Sequence, residues 1–176
     1  TDAETVTVET DGETFTQPYG DLLVATGAHA LTGPIPGARL DGAFTMHGLD
    51  SAAAVRAALS DPGESTVDTS IEYVDTALVE KYADWETLER VAIVGGGYVG
   101  VEMAEAFRAH EVETHLFQRS GTLVPPFGET VGERVTDHLR SQGVNLHLNT
   151  AVEELVGDDR ERVTAVAHDG GTTDVD

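Results

Sequence analysis

A run of four apolar residues, Val91-Ala92-Ile93-Val94, passes without a break into Gly95-Gly96-Gly97-Tyr98-Val99-Gly100, and this junction limits the fold more than any other stretch. A continuous apolar run of that length suits a strand covered on both faces of a parallel sheet. The segment from Val99 to His110 reads as a helix, with Val101, Ala104, Ala106 and Phe107 as inward candidates, and Glu113 to Phe117 reads as the next strand. The unit is strand, glycine loop, helix, strand, from which parallel α/β sheets are built.

Gly95, Gly97 and Gly100 satisfy the spacing G-x-G-x-x-G. Alone that spacing is weak, but between a buried strand and a helix it carries meaning. The first glycine permits a tight turn, the second lets a pyrophosphate approach the backbone, and the third lets the helix pack close to the sheet. The opening amides of a helix lack intrahelical partners, and the helix dipole adds partial positive charge. Residues 95–100 are therefore expected to hold the pyrophosphate of a dinucleotide, NAD or NADP, with no lysine or arginine required. The plainer alternative is a glycine-rich turn without a ligand. Such a fingerprint usually carries Asp or Glu at the end of the second strand, about 20 residues on, to accept the ribose 2′-hydroxyl. Here Gln118 and Arg119 stand there instead. Gln118 can still accept a hydrogen bond, and Arg119 either pairs with a 2′-phosphate or is a solvated surface arginine. The balance tilts slightly to NADP or to dual use.

Around this unit, Val6 and Val8 alternate with polar residues, Asp11-Gly12 supplies a type I′ turn, and Phe15 follows, which reads as a hairpin. Residues 21–27, Asp-Leu-Leu-Val-Ala-Thr-Gly, read as a short strand, and residues 33–37 are too rich in Pro and Gly for regular structure. Asp50 is a candidate N-cap for an alanine-rich helix from Ser51 to Leu59. Thr76 to Leu88 is an amphipathic segment. Glu129 to Gln142 reads as a helix with Val131, Val135 and Leu139 inward, stopped by Gly143, and Val144 to Leu148 as a third parallel strand. Val152 to Val156 and Val163 to His168 are further strands, with a turn at 169–171 and a partner strand expected only beyond Asp176. The expected class is α/β: a Rossmann-type βαβ nucleotide-binding domain with a parallel sheet plus antiparallel hairpin elements.

The 176 residues hold 32 acids against 10 bases, a formal charge of −22, and Lys81 is the single lysine. That charge argues against nucleic acid and against anionic membrane as partners. Because the acids are spread along the whole chain, a halophilic surface explains them better than an acidic tail; the composition resembles that of proteins from extreme halophiles. No cysteine is present, which excludes disulfides and thiol chemistry within the chain, and no apolar run has the length of a membrane span. The expected location is a high-salt cytoplasm. The seven histidines show no metal-ligand spacing on a shared helix face, and no metal site is expected. His115 and His147 fall on adjacent strands and read as structural. The pairs Glu153-Glu154 and Asp158-Asp159 read as surface acids.

The stretch from Gly95 to Phe107, with its Glu102-Met103-Ala104-Glu105 run, resembles the NAD(P)-binding motif of the FAD-dependent pyridine nucleotide–disulfide oxidoreductases. Residues 19–28, which include Ala25-Thr26-Gly27, resemble that family's Ala-Thr-Gly segment. Ile35-Pro36-Gly37 with Gly42-Ala43-Phe44-Thr45 resembles its link between nucleotide domains, and Gly143-Val144-Asn145-Leu146 its third strand. The details resemble the NADH oxidase and coenzyme A–disulfide reductase branch most, while Gln118-Arg119-Ser120 is also similar to some mercuric reductases. The resemblance implies residues 1–45 as the rear of an FAD-binding domain with a linker, and 46–176 as the NAD(P)-binding domain. It implies NAD(P)H giving hydride to FAD, Tyr98 over the nicotinamide pocket, Glu102 near nicotinamide and flavin, and Thr26 and Gly27 touching FAD through backbone atoms. Tyr98 could otherwise be an aromatic packed on the sheet, and Glu102 a dipole-favoured carboxylate. The resemblance also places the first FAD motif and a redox cysteine before Thr1, and a dimerisation domain after Asp176. A homodimeric parent chain is expected, with no catalytic residue in this stretch and no turnover by it alone. The alternative is a stand-alone nucleotide-binding module without redox chemistry.

Overall fold

In the computed structural model, which describes residues 4–32, 35–61, 67–70, 74–85 and 88–176, the apolar run becomes strand β3 and its neighbours fall into register beside it. Eight strands and four α-helices follow in the order β1 Thr5–Thr10, β2 Glu13–Pro18, α1 Leu49–Ala58, α2 Thr76–Ala83, β3 Arg90–Val94, α3 Tyr98–Ala109, β4 Glu113–Gln118, α4 Glu129–Ser141, β5 Asn145–Leu148, β6 Val152–Gly157, β7 Val163–His168 and β8 Gly171–Asp174. β3, β4 and β5 form a parallel sheet in that order, with Val94 level with Phe117 and Gln118 level with Leu148. The class is α/β, as expected from the pattern.

Side-chain alternation gives each face of this sheet its own cover. Leu116 and Leu146 point to the helix side, where they pack with Ala104 of α3 and Leu139 of α4. Phe117 and Ala92 point the other way, against Val163, Val166 and Val175. That second cover is an antiparallel sheet, β6-β7-β8. The domain is thus three layers, with helices α3 and α4, the parallel sheet, and the antiparallel sheet. Phe117 lies at the centre, 1% exposed, and burying a side chain of that size is worth about 1.5–3 kcal/mol. Helices α1 and α2 pack on each other through Ala53, Ala57, Val79 and Tyr82, and Val55 joins α1 to Phe107 at the end of α3.

The N-terminal hairpin forms as read, with Thr10 opposite Glu13 and positive φ at both Asp11 (50°) and Gly12 (80°), the signature of a type I′ turn. The stretch from Ile35 to Ala43 is strapped to the antiparallel sheet. Pro36 O accepts from Leu155 N (2.9 Å), Glu161 O from Asp41 N (2.9 Å), and Asp41 O from Val163 N (2.8 Å).

Several sequence expectations need correction. Residues 21–26 are not a strand: Leu23 and Val24 are 87% and 72% exposed, and no described element lies beside them to complete a ladder. Gly48, not Asp50, caps α1; the Asp50 carboxylate instead accepts from Asp75 N at 2.8 Å, tying α1 to the start of α2. Ala106 and Val131 face solvent, because the inward stripes run through Gly100, Ala104 and Phe107 in α3 and through Gly132, Thr136 and Leu139 in α4. β3 is half-buried rather than covered on both faces, since it is an edge of the three-stranded sheet. The partner strand expected beyond Asp176 is already present as β8. Gly33 and Pro34 of the Pro/Gly-rich stretch, and residues 64–66 and 71–73, lie outside the described residues.

Candidate dinucleotide site

Gly95 leaves β3 with φ +112°, a conformation that only glycine adopts without strain, and its amide donates to Phe117 O at 2.8 Å. The loop is so tied to β4 at its first residue. Gly96 is buried and gripped on both sides. Its N–H donates to Gln118 Oε1 at 3.0 Å, and its carbonyl accepts from Val124 N at 2.7 Å. Gly97 is exposed and is the N-cap of α3, with φ −76° and no side-chain cap. A Cβ built on Gly97 would meet nothing within 4 Å, so the backbone there opens onto free space. A Cβ on Gly100 would lie 2.0 Å from Gly95 O, so α3 packs against the loop at a distance only glycine permits. The first turn of α3 carries no acid, and nothing there cancels the positive end of the helix.

Tyr98 is 66% exposed, which excludes the aromatic packed on the sheet. Glu102 follows one turn later on the same side of α3 and is also exposed. Gln118 closes β4 with its carboxamide turned inward: besides accepting from Gly96, its Nε2 donates to Ser120 Oγ (2.5 Å) and Thr122 O (3.4 Å). Arg119 is exposed and forms no hydrogen bond or ion pair with the described residues. Thr26 and Gly27 lie in exposed chain outside every strand.

Sequence reasoning missed Val124. It sits at φ 42°, ψ 51°, a left-handed conformation that is an outlier for a β-branched residue. Such strain costs about 1–3 kcal/mol and is held only where the surroundings enforce it. Here its amide bonds Gly96, and Leu123 beside it is fully buried against the glycine loop.

The histidines on the opposite face form a chain. Glu113 Oε1 accepts from His115 Nε2 (2.9 Å), and His115 Nδ1 lies 3.0 Å from His147 Nε2. His147 stacks on Phe117 with ring centres 4.2 Å apart, and His168 lies 5.8 Å away. Burial, then the neighbouring imidazoles of His115 and His168, push the His147 pKa down; the His115 hydrogen bond holds the Glu113 carboxyl below its ordinary range. Among the described residues no group of three or more such side chains is placed to hold a metal ion. Asp158 is more than a surface acid: its Oδ1 accepts from Arg162 N (3.0 Å) and Arg160 N (2.8 Å), which lowers its pKa and folds the β6–β7 turn.

A three-layer α/β domain whose glycine loop leads from a parallel strand into an acid-free helix start is a Rossmann-like nucleotide-binding domain. The chain belongs to the pyridine nucleotide-disulphide oxidoreductase family, whose model matches residues 1–176. It is 28% identical over 170 residues to an NADH oxidase of Methanocaldococcus jannaschii, covering 96% of this chain and 32% of that protein. Among solved structures it is similar to a FAD-dependent pyridine nucleotide-disulphide oxidoreductase from Desulfovibrio vulgaris (27% identity, TM-score 0.66, 99% of this chain and 39% of that one). It shares its fold with an engineered water-forming NADPH oxidase bound to NADPH (21% identity, TM-score 0.62, 99% and 33%). The chain therefore spans about a third of the length of the relatives it matches. No helix among the described residues is long and apolar enough to cross a membrane.

Proposed function

We propose that this chain is the NAD(P)H-binding part of a flavin-dependent oxidoreductase and positions the nicotinamide for hydride transfer to FAD. One observation carries the reading. Gly96 and Gly100 are buried and fixed, while Gly97 presents its backbone to open space at an acid-free helix start. In this reading Gly95, Gly96, Gly97, Val99 and Gly100 cradle the pyrophosphate through the loop and the first amides of α3. Tyr98, exposed at the same helix end, covers the nicotinamide, and Glu102 stands one turn further along. Thr26 and Gly27 are the residues of this chain assigned to FAD, through backbone atoms in a segment that pairs with no described strand. Bound FAD would take the hydride and pass its electrons on. The dimer and a high-salt cellular setting belong to the same proposal.

Support for the adenosine end comes from the engineered NADPH oxidase. Its replacements include Asp to Ala, Ala to Arg and Met to Ser at three successive positions. A replaced glycine stands eighteen positions before that aspartate, and a replaced proline seven after it. Gly100 and Pro125 stand at those same spacings about Gln118. Counted by those spacings, Arg119-Ser120 of this chain correspond to the Arg and Ser introduced into that enzyme.

Titration of the chain with NADH and with NADPH, followed by nucleotide fluorescence, tests the reading. Saturable binding of at least one is expected; binding of neither would remove the basis for it.

A further inference from the structure

We infer that His115, His147 and His168 form an acid-sensitive latch between the two sheets, which loosens the β7–β8 turn from the parallel sheet when these imidazoles take up protons. The three lie where the sheets face each other. His147 of β5 stacks on Phe117 with ring centres 4.2 Å apart, and His168 of β7 lies 5.2 Å from Phe117 and 5.8 Å from His147. His115 and His147 belong to the parallel sheet and His168 to the antiparallel one, so the contact crosses the layer boundary.

His168 and the His115–His147 pair each depend on one bare nitrogen. His168 Nδ1 accepts from Gly170 N (3.1 Å), which leaves its proton on Nε2, facing Thr173 Oγ1 at 3.3 Å. A proton on Nδ1 would set two N–H groups against each other and break the hydrogen bond that closes the β7–β8 turn. His115 Nδ1 and His147 Nε2 lie 3.0 Å apart and share one proton, while Glu113 accepts from His115 Nε2 on the far side. The pair can therefore take one added proton. His115 becomes the cation beside Glu113, and His147 carries its own proton on Nδ1. A second has no place, because His147 Nε2–H would then face His115 Nδ1–H.

The surroundings of the latch act in the same direction. Burial, then His115 on β4 and His168 on β7, hold His147 below the ordinary histidine range. Glu113, with Arg90 Nε of β3 at 3.6 Å, faces only the His115 end. β6 brings the apolar Val152 and Leu155 to this core, and β8 brings Thr173. The net charge of −22 works the other way, since acidification lessens self-repulsion. A weakening in acid that is confined to this joint therefore has its source in the imidazoles. Opposed donors act at contact distance, so the effect persists in molar KCl, where longer-range repulsion is screened.

Nitrogen NMR of the 176-residue chain in molar KCl reads the tautomer of each histidine, and amide hydrogen exchange reads opening strand by strand. At about pH 7.5 His168 should carry its proton on Nε2. From about pH 7.5 to about pH 5.5, protection of the β7–β8 amides should fall between about twofold and about tenfold, the range of a lost hydrogen bond, while β3, β4 and β5 change by less than about twofold. The double variant His147→Gln, His168→Asn keeps a donor toward His115 and an acceptor for Gly170 N, and neither new side chain titrates. Circular dichroism checks its fold, and its protection should be the same at both pH values. An Nδ1–H tautomer at His168, an equal loss of protection in both sheets, or a pH response that survives in the folded double variant overturns the latch. If the variant does not fold, the tautomers and the strand-by-strand exchange of the native chain decide by themselves.

Discussion

Replacing Gly100 by alanine separates the two duties of the glycine loop. The added Cβ would sit 2.0 Å from Gly95 O, where ordinary contact begins at 3.4 Å, so helix and loop must part by more than an ångström. The obstacle is a backbone carbonyl, and Gly95 is itself held to Phe117 O through its amide. Alanine returns about 1 kcal/mol of helix propensity relative to glycine. Overpacking of this kind costs about 1–3 kcal/mol or more, and a rigid neighbour puts it at the upper end. A net loss of about 1–2 kcal/mol follows, which is several degrees in Tm for a chain of this size. Gly97→Ala is the control. Gly97 has φ −76° and no atom within 4 Å of its would-be Cβ, so the fold should lose only about half a kcal/mol, the preference of an N-cap for glycine over alanine. The methyl would nevertheless occupy the space that the proposed function gives to the pyrophosphate, so on that proposal binding of NADH and NADPH should weaken together. Urea unfolding by circular dichroism, paired with nucleotide titration, reads both effects. A Gly100→Ala chain as stable as the native one, or a Gly97→Ala chain that loses as much stability as Gly100→Ala, would contradict the close approach of α3 to Gly95 O.

Three further outcomes are expected. The His147 pKa is depressed in the fold by burial, His115 and His168, so the unfolded chain takes up a proton that the folded chain resists. Stability is then complete above the ordinary histidine value of about 6.5 and falls as pH drops below it; urea midpoints that do not change between about pH 7.5 and about pH 5.5, roughly one unit either side of that value, would contradict this. With 32 acids and 10 bases, the chain should lose helical circular dichroism as KCl falls from molar to millimolar levels, whereas a signal indifferent to salt would remove the halophilic reading. Since Thr26 and Gly27 lie in exposed chain, the purified 176-residue chain should carry no flavin absorbance, and co-purified FAD would show that these residues suffice to hold it.

The parallel core was legible because its signals are local and periodic. An apolar run, three glycines at fixed spacing and a helical stripe mark β3, the loop and α3. Residues 21–26 show the limit of that logic: an apolar run does not say whether a neighbouring strand exists, and without one Leu23 and Val24 stay in solvent. Asp50 has the chemistry of a cap, but its carboxylate found a better-placed amide twenty-five residues away. The brace around Gly96 was not legible at all. It joins residues 22 and 28 positions apart in sequence, and nothing in Val124 announces a left-handed backbone. Gln118 could be named from its position, but not the direction its amide would face. The histidine chain was half visible, since strand adjacency gave His115 and His147, while His168 came from a sheet whose packing no periodicity reveals.

The strap from Ile35 to Ala43 gives the domain a mechanical order. Its three backbone hydrogen bonds to the antiparallel layer end on β6, on β7 and on the turn between them, and Gly42 N to Tyr82 Oη with Lys81 Nζ to Asp41 Oδ1 tie it to α2; none ends on the parallel sheet. A pull along the chain from the N-terminal side is therefore borne first by the antiparallel layer and α2. It reaches the parallel sheet through the shared core in which Leu40 and Ala43 meet Phe117 and Ala92. The glycine loop lies beyond that core, so the segment that would hold the dinucleotide is cushioned from movements of whatever precedes the strap.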